Sequence, residues 1–165
     1  MKYNGLKSIL LIYIIMTSLF NISFSSKKDK VIIAINCGGD TYEDADGVVY
    51  EKDNYFDTGN ASDYGLQYDI SGTDDAEIYQ TERWAASDLT YLIPFKPTAG
   101  KFVLVLKFSE VYFQMSNEKV FNVGIGDKVV IRDLDIFDRV GKAAAFDEFV
   151  EFEMKENKIY VNVII

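Results

Sequence analysis

The chain has 165 residues, nearly half of them apolar, with 12 Phe, 11 Tyr and 1 Trp. That length and composition support one domain with a real core and exclude a disordered chain. The 17 basic and 26 acidic residues leave a net charge of −9, which argues against nucleic acid and anionic lipid surfaces as partners.

The chain opens with Lys2 and Lys7, then an apolar run over residues 9–20, then Ser23-Phe24-Ser25. A positive start, a short apolar stretch and small residues at a cut are the order of a secretory signal peptide, here residues 1–25. The run falls short of the ~20 residues that comfortably span a bilayer. An uncleaved anchor is the alternative reading, and Asn21 and Ser23 weaken it. Residues 26–165 then form the folded domain.

Val31 to Asn36 is a short apolar run before Gly38-Gly39, suiting a buried first strand and a turn. Cys37 is the only cysteine. It reads as a small buried apolar residue beside that strand, with an intermolecular disulfide as the sharper alternative. With no histidine and one cysteine, no zinc site can be assembled. Residues 40–87 are rich in Gly, Asp, Asn, Ser and Tyr, with weak periodicity. Long irregular segments in compact domains often carry function. Within this one, Asn60-Ala61-Ser62 is an N-glycosylation sequon.

Residues 102–113 are the clearest strand region. Phe102, Leu104, Leu106 and Phe108 share one face, and Val103, Val105 and Val111 fall on the other. Apolar residues on both faces predict a strand buried on both sides. Phe121, Val123 and Ile125 alternate, and Gly126-Asp127 offers a turn into residues 129–134, predicting a hairpin. Val150, Phe152 and Met154 alternate with acids. Glu156-Asn157 then marks a turn into Ile159, Val161, Val163 and Ile165.

Several strands and no long amphipathic helix after residue 25 predict an all-β fold, a two-sheet antiparallel β-sandwich of jelly-roll-like type. The chain stops at Ile165 in mid-strand. That stop suggests a C-terminally truncated domain missing its last strands, with an open apolar edge.

A neutral sugar is held by aromatic rings against its C–H faces and by polar groups on its hydroxyls. Four segments mix these residue types: residues 61–65 around Tyr64, residues 79–84 ending in Trp84, residues 110–117 containing Tyr112 and Phe113, and residues 133–139 with three acids. Tyr112 and Phe113 are adjacent, so both face a ligand only if they lie at a strand's end or in a loop. The plain alternatives are core packing for a lone aromatic and a solvated strand face for the alternating acids. The Asp-x-Asp-x-x-Asp spacing lacks the glycine and closing glutamate of a calcium loop. Glu82 and Arg83 read as structural ion-pair members. A histidine-based triad is excluded. Carboxylate-pair glycoside hydrolysis stays formally open, with no pair singled out.

Taken together, the segments resemble malectin. Ile35-Asn36-Cys37-Gly38-Gly39, Ala61-Ser62-Asp63-Tyr64-Gly65 and Tyr79-Gln80-Thr81-Glu82-Arg83 read like that family. So do Leu104-Val105-Leu106-Lys107-Phe108, Glu110-Val111-Tyr112-Phe113, Lys119-Val120-Phe121 and the run from Asp133 to Gly141. The resemblance implies a non-enzymatic carbohydrate-binding β-sandwich resident in the endoplasmic reticulum. It implies recognition of glucosylated N-glycans, the diglucosylated high-mannose form above all, and of α-linked glucose disaccharides. It also implies a role in glycoprotein quality control beside ribophorin I of the oligosaccharyltransferase complex, with no cofactor. The family's sugar-contacting aromatics fall on Tyr64, Trp84, Tyr112 and Phe113, with Trp84 where the family has tyrosine. A sugar-bonding aspartate and a membrane helix of the family fall beyond Ile165. The alternative to a lectin is a protein-interaction sandwich that has lost sugar binding; a glycosidase is the remaining reading.

Overall fold

The computed structural model describes residues 7–9, 11–16, 31–94, 100–154 and 158–164. The signal-peptide cut at Ser23-Phe24-Ser25, the Glu156-Asn157 turn and Ile165 lie outside the described residues.

The strands are β1 (Lys7–Ile9), β2 (Leu11–Met16), β3 (Val31–Asn36), β4 (Tyr42–Glu43), β5 (Val49–Lys52), β6 (Asn60–Ser62), β7 (Glu82–Ala85), β8 (Leu89–Pro94), β9 (Gly100–Phe108), β10 (Phe121–Ile125), β11 (Lys128–Leu134), β12 (Phe146–Met154) and β13 (Lys158–Ile164). One short helix, α1 (Ile136–Val140), follows β11. The strands build a six-stranded sheet in the order β12-β9-β2-β3-β5-β4 and a four-stranded sheet in the order β11-β10-β13-β8. A small sheet, β1-β7-β6, completes the set. Pairing is antiparallel except between β3 and β5. The fold is an all-β sandwich.

β9 explains why two layers form. Phe102, Leu104, Leu106 and Phe108 are at most 1% exposed. They pack with Tyr91 and Ile93 of β8, Phe121 and Val123 of β10 and Leu134 of β11 into the core between the two larger sheets. Each such side chain contributes about 1.5–3 kcal/mol through burial. The opposite face of β9 also finds cover. Val105 and Val111 join Tyr50, Ile70, Ile78 and Tyr79 in a second core. Much of the irregular stretch over residues 40–87 is therefore a lid on the outer face of the six-stranded sheet, because a sheet buried on one face only would leave this apolar row wet. Cys37 is fully buried just beyond β3, which removes it from any surface where an intermolecular disulfide could form.

The hairpin forms as the sequence predicts, with Gly126 at φ 57° in its turn. The two last strands behave differently from the expectation. β12 joins β9 in the six-stranded sheet, while β13 crosses to the other sheet and pairs with both β10 and β8. The expected open apolar edge is thus corrected over the described part of that strand, Lys158–Ile164. A strand from earlier in the chain, β8, lies along that side, and no local pattern announces such a distant pairing.

The N-terminal segment contributes as well. β2 runs between β3 and β9, with Leu11 opposite both Asn36 and Lys107. β1 pairs along β7. Among the described residues, no helix is long and apolar enough to cross a membrane.

Candidate functional site

Three of the sequence motifs meet on the backbone of residues 80–83. Gly38 sits at φ 81°, and a Cβ built on it would lie 2.0 Å from the Glu82 carbonyl oxygen. A Cβ on Gly65 would lie 2.4 Å from the Gln80 carbonyl oxygen. Only glycine permits these approaches. The glycines of the Asn-Cys-Gly-Gly and Ser-Asp-Tyr-Gly stretches are therefore seats for β7, and they bring the loop that carries Tyr64 against it.

Tyr64 begins a 3-10 turn, Tyr64–Gln67. The turn is held by Leu66 N–H donating to the Asp63 carbonyl and by Tyr64 N–H donating to Ser62 Oγ. The Tyr64 ring lies edge-on to Tyr112 at 5.5 Å, and Tyr112 lies edge-on to Phe113 at 5.1 Å. Tyr64 and Tyr112 are 40% and 52% exposed, whereas Phe113 is 8% exposed. The structure thus joins three predicted residues into one patch, with two open rings above a buried one. Strand β9 ends at Phe108. Tyr112 and Phe113 sit in the loop beyond it, the arrangement that lets neighbours share a side.

Tyr68 joins the patch with its ring 6.0 Å from Tyr64, and Lys142 Nζ stands 4.7 Å over it. A hydrogen bond with Tyr68 holds the Tyr64 phenol above its ordinary value. Tyr68 is held below it by the bond with Tyr64 and then by Lys142. Rings for stacking and a short chain of polar tips are thereby side by side, the two devices that a pyranose requires.

Beneath the patch lies a buried ion pair. Glu110 Oε1 accepts from the backbone N–H of both Tyr112 and Phe113, at 2.8 and 2.9 Å. Its other oxygen lies 2.7 Å from Lys119 Nζ. Both side chains are almost wholly buried, and Lys119 also stands 5.9 Å from the centre of the Phe113 ring. A carboxylate that fixes two consecutive N–H groups sets the direction of both rings. Glu110 is thus the anchor of the aromatic pair, with Lys119 as its counterion. Glu82 Oε2 lies 3.9 Å from the same ammonium.

The fourth predicted segment has a different task. Asp135 caps α1 through Asp138 N–H and also accepts from Asn117 N–H. Asp138 accepts from Ser116 Oγ. These acids clamp the loop that follows Phe113 rather than lining a strand face. No cluster of acids that could hold a metal exists among the described residues.

Trp84 is half-buried on β7, opposite Asn60 of β6. Strand alternation puts it on the same side of β7 as Glu82. Arg83 points the other way, where its Nε meets Asp53 Oδ2 at 2.6 Å and its Nη1 donates to the Gly59 carbonyl. Glu82 and Arg83 are ion-pair members, as their sequence setting suggests. Sequence reasoning missed Tyr68, Lys142 and the anchoring role of Glu110. Only Glu110 carries a signal, its place in the Glu-Val-Tyr-Phe stretch.

Known proteins share this sequence pattern and this fold. The malectin domain family model matches residues 31–165. Malectin-A of Xenopus laevis is 46% identical over 140 residues, covering 83% of this chain and 50% of that protein. Malectin of Danio rerio is 44% identical with 83% and 49% covered. Malectin of Homo sapiens is 43% identical over 136 residues with 81% and 46% covered. The chain spans about half the length of these curated relatives. Among solved structures, the ANXUR2 extracellular domain from Arabidopsis thaliana aligns with a TM-score of 0.68 at 17% identity, over 81% of this chain and 43% of that one. A Bacteroides uniformis beta-glucuronidase aligns with a TM-score of 0.66 at 17% identity, over 80% of this chain and 16% of that one. At such identities these two report the fold alone. Matched by the family model from residue 31 to residue 165 and by relatives named malectin at 43–46% identity, the chain belongs to the malectin family.

Proposed function

We propose that this chain is a non-catalytic carbohydrate-binding lectin whose aromatic patch holds α-linked glucose. One observation carries the reading: two exposed tyrosines, Tyr64 and Tyr112, stand edge to face above a buried Phe113. A sugar stacks on such rings through its C–H faces while phenol tips meet its hydroxyls. The family's motif adds Trp84 to the same set of sugar-contacting rings. The work is binding and needs no cofactor.

The finer reading follows from family membership. The ligand is a glucosylated N-glycan, the diglucosylated high-mannose form, or an α-glucose disaccharide. The setting is the lumen of the endoplasmic reticulum, entered by way of the leader at residues 1–25. Ribophorin I and the oligosaccharyltransferase complex are the partners. Asn60 is exposed at the start of β6 and is the glycosylation site of the domain.

Isothermal titration of the folded protein with maltose and nigerose, with cellobiose as the β-linked control, tests this. Saturable heat with the α-linked sugars and none with cellobiose supports the reading. Absence of heat with all three overturns it, and so does release of free glucose from the disaccharide.

A further inference from the structure

A separate polar cavity of about 650 Å³ lies on the other side of the loop that carries Tyr64. Its wall includes Asp40, Lys52, Ser62, Asp63, Thr81 and Arg83, and none of the four predicted aromatics lines it. The volume falls within the roughly 300–1,000 Å³ typical of small-molecule sites. Gly38 and Gly39 form part of the wall, and close packing on Glu82 and Asn36 excludes any side chain there. The cavity is therefore bounded in part by rigid backbone.

The wall chemistry narrows the occupant. Arg83 is committed to Asp53, to the Gly59 carbonyl and to the face of Phe56, with its guanidinium carbon 3.4 Å from that ring centre. Thr81 Oγ1 donates to Asn36 Oδ1. Within the described residues, no hydrogen bond or ion pair engages the Lys52 ammonium or the carboxylates of Asp40 and Asp63. One cation and two acids with open valences disfavour an anion. Among the described residues, Leu66 and Ala61 are the only apolar side chains of the wall, too few for an apolar guest. What matches carboxylates and an ammonium together is a neutral molecule dense in hydroxyls, which donate to the acids and accept from the lysine.

We infer that this cavity is a second saccharide subsite, which takes the next sugar units of an oligosaccharide whose terminal glucose lies on the aromatic patch. The placement supports it. Tyr64 reaches the patch from the same turn whose Asp63 and Leu66 line the cavity. A chain of pyranoses that crosses this turn meets rings on one side and charged hydrogen-bonding groups on the other. The inference rests on the lectin reading given above.

The test uses the full chain, with maltose, maltotriose and maltotetraose as titrants. Wild type should bind the tetrasaccharide about tenfold more tightly than maltose, the gain expected of one charge-assisted hydrogen bond. Lys52→Met and Asp63→Asn, both at exposed positions, should erase that gain and leave maltose affinity unchanged. Backbone amide resonances of Ser62 and Thr81 should shift with the tetrasaccharide and not with maltose. Equal affinity for all three sugars in wild type, or a gain that persists in both variants, overturns the second subsite and leaves the lectin reading intact. Failure of every sugar to bind overturns the lectin reading itself, and the subsite with it.

Discussion

Strand β7 divides two buried ion pairs that look alike and work differently. On one side, Arg83 and Asp53 form a closed set. The guanidinium meets a carboxylate, a carbonyl and a ring, and the remaining Asp53 oxygen accepts from Tyr91 Oη at 2.8 Å. On the other side, one ammonium, Lys119, serves two carboxylates, Glu110 and Glu82. Glu82 Oε2 has no hydrogen-bond partner among the described residues. A saturated pair does little beyond holding the fold together. The second pair spends one carboxylate on the N–H groups of Tyr112 and Phe113, so its geometry is transmitted to the site. Position relative to a ring pair, rather than burial, separates the two: one pair holds the fold, the other also fixes the backbone that carries two rings.

Removing each cation is the strongest way to break this contrast. Lys119→Met strands two buried acids and should cost about 5 kcal/mol, the upper end for breaking a buried pair. The folded fraction should also lose maltose affinity. Adding Glu110→Gln to it should restore part of the stability, because the charge goes with its partner. Arg83→Met strands only Asp53, which keeps Tyr91, and should cost about 3 kcal/mol with maltose affinity unchanged. Chemical denaturation gives both costs, and titration gives the affinities. If Arg83→Met weakens maltose binding as much as Lys119→Met does, the two sides of β7 are not functionally distinct.

Ring truncation sharpens the comparison on the patch side. Tyr112→Ala and Trp84→Ala should each weaken maltose binding by about 1–3 kcal/mol. Tyr112 is exposed, so its removal should change stability by no more than about 0.5 kcal/mol. A large fall in melting temperature for Trp84→Ala with unchanged affinity would assign that ring to the fold.

The smallest effect concerns pH. Burial first, then hydrogen bonding to Asp75, pushes the Tyr42 phenol up to about 12. Burial also raises Tyr79 beside Asp147, and Tyr91 beside Cys37 and Asp53. A phenol that holds its proton more tightly when folded contributes stability that is fully present below the unfolded value of about 10. That stability is lost as pH rises past it. Melting temperature should thus be level from neutral pH to about 9 and fall above about 10, in step with the phenolate absorbance. A fall that begins near neutrality would mean that these phenols are not what sets the limit.

Much of the fold was legible because strand chemistry is local. The two apolar faces of β9 and the Gly126-Asp127 turn can be read from a few neighbouring residues. The destination of β13 could not be read, since its partners β10 and β8 are set by packing across the whole sandwich. The site divides the same way. Tyr64, Tyr112 and Phe113 stand in recognisable stretches, and the structure brings them together. Tyr68 and Lys142 meet only through tertiary folding. The acids at 133–139 alternate as a strand face would, yet the chain turns into α1 there, and Asp135 becomes a cap.

The place of β2 has a consequence for the order of events during synthesis. Leu11 pairs with Asn36 on one side and with Lys107 on the other, nearly a hundred positions later. The first half of that contact closes as soon as β3 emerges, whereas the second waits for β9. At ~5–20 residues per second the wait between Asn36 and Lys107 is roughly 4 to 14 seconds. Were the proposed leader of residues 1–25 cut off within that interval, it would take the strand with it and leave β9 and β3 without the strand between them. A cut that comes later meets a strand already hydrogen-bonded on both sides. Under the proposed leader, the timing of one proteolytic event against the ribosome therefore sets whether β2 stands between β3 and β9.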